Sequence, residues 1–179
     1  MKKNLIGLFG LLLICSTGCA QKQNEKAAPK TETTQTNYTI KQLPITQTEG
    51  FLDSIKKEYK GSVTLIDFWA TWCGPCRMAM KEVDSIKPDL MKKGVKFVYI
   101  TGESSPEEKW KEMLPQIDGD HYRLTKEQWS ELCKSLKLRG IPSYIILAKD
   151  GSEAFNNIAT AGYPGNDVVK ETIEKELEK

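Results

Sequence analysis

Residues 62–70, SVTLIDFWA, form a β-branched and aromatic run whose one charged residue is Asp67, and the chain then reaches Cys73 and Cys76, which straddle Gly74 and Pro75. A run of this composition is a buried strand. Behind the cysteines Met78, Val83, Ile86 and Leu90 recur at helical intervals as far as Gly94, which predicts a single helix over that span. The cysteines therefore sit between a strand and the first turn of a helix. Pro75 is tolerated there because the first amides of a helix lack intrahelical partners. Spacing i to i+3 puts both sulfurs on one face, close enough to bond. The free amides and the helix dipole stabilise negative charge and lower a thiol pKa. Cys73, nearer the helix end and the solvent, is the expected nucleophile, and Cys76, one turn in, is the shielded resolving thiol. Asp67 has no lysine or arginine beside it in the strand, so its carboxyl is expected to be buried without an adjacent cation, which raises its pKa, a distant lysine partner being the alternative.

Three chemistries fit a Cys-x-x-Cys pair. A zinc site needs two further ligands, and the rest of the domain offers only Cys133 and His121. A purely structural disulfide closing so short a loop stabilises little. A redox-active dithiol needs neither metal nor cofactor, because the electrons are stored in the sulfurs, and it is the reading adopted here. Cys133 falls on the apolar face of a helix and is expected to be a buried, inert thiol. His121 is expected on the surface or in a loop, with no assigned role.

The remaining segments predict an α/β domain. Tyr38 to Ile45 reads as a short edge strand, and TEGFLDSIKKEYKG as a helix ending near Gly61. VKFVYIT is a second buried strand, and SSPEEKWKEMLPQ a helix capped by Ser104 or Ser105 with Pro106 in its first turn. DHYRL reads as a short extended piece, and TKEQWSELCKSLKL as an amphipathic helix with Trp129, Leu132, Cys133 and Leu136 on one face. SYIILAKDGSEAF is a hairpin around Asp-Gly, and GNDVVKETIEKELEK a final helix. Short apolar strands alternating with helices imply a mixed central sheet with helices on both faces.

The N-terminus carries an export pattern: Lys2 and Lys3, an apolar run from Leu5 to Ile14, then STGC ending at Cys19. The run is shorter than the ~20 apolar residues of a spanning helix. Cys19 is the expected acylation site of a bacterial lipoprotein signal, although Ser16 stands where such signals more often carry Leu. Ordinary cleavage to a soluble secreted product is the alternative. Residues 20–37 are polar and aromatic-free, a tether. The expected organisation is a signal over 1–18, a tether over 19–37 and a domain over 38–179, held by its lipid in the cell envelope facing the periplasm. Lys2 and Lys3 leave with the signal, so 24 of the 26 basic residues remain against 24 acids. That neutral balance argues against a nucleic-acid partner.

LIDFWATWCGPCR closely resembles the thioredoxin active-site strand and motif, and RGIPSYIIL resembles the cis-proline loop and following strand of that family. The similarity spans 38–179, and the middle, 104–125, resembles the membrane-tethered TlpA-type branch, whose members reduce disulfides outside the cytoplasm. The resemblance implies a thioredoxin-like three-layer fold and a cis Ile141–Pro142 bond facing the dithiol. It also implies a substrate surface of Trp72, Gly74, Pro75, Ile141 and Pro142, on which the Ile141 backbone pairs with an extended chain. Trp69 is expected to pack under the loop. This sequence has Ala79 where the branch often carries an acid, and Lys81 where many members have proline, so Asp67 is left as the active-site acid. The implied function is a thiol–disulfide oxidoreductase reducing protein disulfides, with a disulfide-bonded protein as substrate and a membrane electron donor. A disulfide oxidase or isomerase using the same residues, and a redox-inert binding module, are the alternatives.

Overall fold

The computed structural model of the chain describes residues 38–42 and 50–179. Cys19, the signal, the tether and residues 43–45 of the expected first strand lie outside them. Six strands are β1 Tyr38–Lys41, β2 Thr64–Phe68, β3 Lys96–Gly102, β4 Gly119–Leu124, β5 Ser143–Leu147 and β6 Glu153–Asn156. They form one sheet in the order β1-β4-β3-β2-β5-β6. The run from β1 to β2 is parallel, whereas β5 and β6 are antiparallel to their neighbours. The helices are α1 Phe51–Glu58, α2 Gly74–Val83, α3 Lys87–Lys92, α4 Glu107–Met113 with a 3-10 turn after it, α5 Lys126–Leu136 and α6 Asn166–Leu177. None of these is long and apolar enough to cross a membrane.

Alternation along β2 divides the core in two. Leu65 and Trp69 face α2, α3, α4 and α6 through Cys76, Ala79, Val83, Leu90, Trp110, Val169 and Ile173. Ile66 and Phe68 face α1 and α5 through Ile55 and Leu132. Each fully buried Val, Leu, Ile or Phe among them contributes about 1.5–3 kcal/mol. The result is the three-layer arrangement with helices on both faces.

Three local expectations are corrected. The single helix after the cysteines is two, because Pro88 lies in the first turn of α3. A proline there has no N–H and its ring would clash with the carbonyl of Asp84, four residues back, so α2 cannot continue through it. Helix α4 has Pro106 itself at the cap, with no side-chain cap bond, and Ser105 is fully buried. The DHYRL piece is extended, as expected, and belongs to β4, an interior strand between β1 and β3. His121 is accordingly not on the surface but 0% exposed. Its Nε2 lies 2.8 Å from the Ile117 carbonyl, and its ring stacks on Tyr99 at 4.9 Å. Burial pulls its pKa down to about 4.

Candidate active site

Cys73 is the N-cap of α2, with extended backbone, and the Cys76 backbone N–H donates to Cys73 Sγ at 3.2 Å. Any negative charge on that sulfur would be stabilised by this amide and by the helix dipole. The two cysteines are joined as a disulfide. In this oxidised form Cys73 is only 4% exposed against 0% for Cys76, so exposure separates them less than the cap position does. The Ile141–Pro142 bond is cis, and the Ile141 carbonyl oxygen lies 3.9 Å from Cys73 Sγ. Trp72, 61% exposed, donates its indole N–H to Ser104 Oγ at 3.4 Å. Gly74 is half-buried and Pro75 exposed, on the rim around Cys73. Trp69 is wholly buried, as expected of a residue packed under the loop.

Asp67 lies in β2, paired with Tyr99 of β3 and Tyr144 of β5. Its neighbours Ile66 and Phe68 face the α1–α5 side. Strand alternation therefore turns Asp67 to the other face, the one that holds both cysteines. Burial pushes its carboxyl up to about 8, against the opposing pull of the Lys87 ammonium and the Tyr144 hydroxyl. Neither Asp67 Oδ1 nor the Tyr144 hydroxyl makes a regular hydrogen bond in the structure.

The cation that acts on Asp67 is Lys87, a lysine distant from the strand in the chain. The break before α3 turns this residue inward, 3% exposed, with Nζ donating to the Tyr99 hydroxyl at 2.8 Å. The ammonium also sits over the rings of Phe97 at 5.2 Å and Tyr99 at 4.8 Å. Burial draws Lys87 down to about 8, resisted by Asp84, Asp118 and Asp67. A carboxyl and an amine that both titrate near neutrality, beneath a dithiol, are suited to moving a proton.

Sequence reasoning missed the hydrogen bond that holds the loop before Cys73 and the packing of Trp129 on β3. The Thr71 N–H donates to Ser105 Oγ at 3.0 Å, and that hydroxyl lies 2.7 Å from Thr101 Oγ1. Trp129 packs so closely on β3 that a Cβ at Gly102 would come within 2.6 Å of its ring. Beside the loop Trp72, Trp129, Leu138 and Ile141 border a hollow of about 190 Å³, which Cys133 also lines. Cys133 is thus only half-buried rather than sealed in the core, and burial raises its thiol pKa.

Residues 61–153 match a family model described as Thioredoxin-like. The thiol-disulfide oxidoreductase ResA of Bacillus cereus (strain ATCC 10987 / NRS 248) is 25% identical over 152 residues, 84% of this chain and 86% of that protein. Among solved structures, the thioredoxin domain of a thiol-disulfide oxidoreductase from Bacteroides vulgatus superposes with a TM-score of 0.57 at 22% identity, over 68% of this chain and 83% of that one. A thiol:disulfide interchange protein from Chlorobium tepidum TLS gives 0.55 at 21% identity, over 68% and 84% of the respective chains. At these identities the solved structures speak for the fold.

Proposed function

The chain belongs to the thioredoxin-like family, and on that footing we propose that it is an extracytoplasmic thiol–disulfide oxidoreductase that reduces protein disulfides. The observation that carries this reading is the Cys73–Cys76 disulfide at the cap of α2, with the Ile141 carbonyl alongside. The Bacillus cereus relative named as a thiol-disulfide oxidoreductase supports it.

In the reduced protein the Cys73 thiolate attacks a substrate disulfide. A Cys73–substrate bond forms, and the second substrate sulfur leaves as a thiolate and takes a proton. Cys76 then gives its proton to the Asp67 carboxylate and attacks the Cys73 sulfur. The mixed disulfide breaks, the Cys73–Cys76 bond forms, and the substrate sulfur bound to Cys73 leaves as a thiolate that takes up a proton, so the substrate departs with two electrons as a dithiol. Trp72, Gly74 and Pro75 form the contact rim, and the Ile141 backbone beside Pro142 pairs with the substrate chain. A membrane dithiol donor restores the reduced pair. Cys19 carries the lipid that holds the domain at the envelope membrane. Replacing Cys19 with Ala is expected to release the protein from the membrane fraction while the domain keeps its reductase activity.

Direction is tested by equilibrating the pair against glutathione. A potential near thioredoxin's roughly −270 mV supports reduction, whereas a value near the ~−120 mV of a strong oxidant assigns the oxidase reading instead. A thiol titration that finds no exchangeable pair would leave a redox-inert binding module.

A further inference from the structure

On the side of Cys73 away from Trp129, an open groove of about 630 Å³ runs from Gly74 along α2, with α4 and the 3-10 turn as its far wall. Its apolar lining is mainly methionine: Met78 and Met80 from α2, and Met113 and Ile117 opposite. Met78 is 62% exposed, one of four large hydrophobic side chains left so open among the described residues. Unbranched thioethers adapt to varied side chains, as binding surfaces for diverse sequences require. Met78 stands exposed and Met113 half-buried, while Met80 and Ile117 are buried, in a groove that reaches the residue after the nucleophile.

The charges on the rim are unequal in their commitments. Glu112 is paired with Lys109 at 2.8 Å, and Asp84 is drawn to the buried Lys87. Arg77 and Lys81, one helical turn apart on α2, make no ion pair among the described residues. The groove therefore presents two uncommitted cations above a methionine floor. A complementary occupant carries carboxylates spaced to meet them and an apolar side chain between. We propose that this groove docks an acidic, apolar-anchored segment of the disulfide-bearing protein substrate, and so selects which disulfides reach Cys73. The proposal rests on the reductase reading and adds the chemistry of the substrate to it.

Three peptides with the same intramolecular disulfide test the idea: one with a Glu/Leu tail, one with a Lys/Leu tail and one with a Gly/Ser tail. Full-length protein reduced beforehand is expected to reduce the Glu/Leu peptide with a kcat/KM about fivefold above the other two, the effect of two exposed ion pairs. The preference for the Glu/Leu over the Lys/Leu peptide should vanish in the Arg77→Gln/Lys81→Gln variant and fade in high salt, while the Gly/Ser peptide reacts at the same rate throughout. Equal rates for the three tails, or an equal slowing of the Gly/Ser peptide by the double variant, would overturn the proposal. A second measurement does not depend on catalysis. A cysteine-free Glu/Leu peptide is added to protein labelled at the methionine methyls. Resonance shifts at Met78 and Met113 support the groove, and shifts absent from both overturn it. If those methyls respond but no peptide is reduced, the reductase reading fails and the groove stands.

Discussion

Asp67 is held where an ionised carboxylate is costly, and the consequence is a pH dependence whose sign can be stated. Its carboxyl titrates near 8 in the folded protein and at about 4 in an unfolded chain. Between those values the unfolded state loses the proton first, so stability declines as pH rises through this window and levels off above it. Asp67→Asn removes the decline. Variant and wild type are expected to match in acid and to separate by on the order of 5 kcal/mol in alkali, the variant being the more stable, in urea titrations across pH. Stopped-flow tryptophan fluorescence of the same variant should show slower release of reduced substrate and an unchanged first attack by Cys73. Unchanged release would leave Asp67 a structural residue. Lys87→Met removes the cation that opposes burial, so the pH at which release reaches half its maximal rate is expected to rise by about one unit. Limited iodoacetamide treatment of the reduced protein should label Cys73 well before Cys133, whose thiol is raised by burial and lacks a helix cap. Preferential labelling of Cys133 would reverse that ordering.

At the scale of elements, the loop between β2 and α2 depends on a serine from a different connection. Ser105→Ala would leave the buried Thr71 amide without its acceptor, at a cost of about 1–3 kcal/mol in urea unfolding. Faster hydrogen exchange at Thr71 is the accompanying signature, and an unaltered exchange rate would refute the clamp. The elements legible in the sequence were those specified by neighbouring residues: the strand and cysteine-capped helix, and the hairpin through Asp150 and Gly151. What escaped depended on contacts distant in the chain. Periodicity through Ile86 and Leu90 suggested one helix, although Pro88 already carried the signal for a break. That break brings Lys87 under Tyr99, so which distant lysine acts on Asp67 depends on the same break. His121 was unreadable for another reason. Polar Asp120 and Arg123 flank it in a short extended piece, and only the sheet order places that strand in the interior.

For the whole molecule, the active-site region and the sheet's far edge differ in how the chain reaches them. β2 and β3 are joined by one crossover, whereas Tyr38 of β1 pairs with Gly119 of β4, roughly eighty residues later. Closing that long loop is slower than forming the inner pair. Pulsed hydrogen exchange during refolding is expected to protect β2 and β3 before β1, and simultaneous protection would contradict this order. The separation also has a meaning in time for a growing polypeptide. At ~5–20 residues per second, β1 has left the ribosome for several seconds before its partner strand exists. Throughout that interval Tyr38–Lys41 is a strand with no neighbour, so a nascent chain halted before residue 119 should show an accessible N-terminal strand that the finished protein conceals.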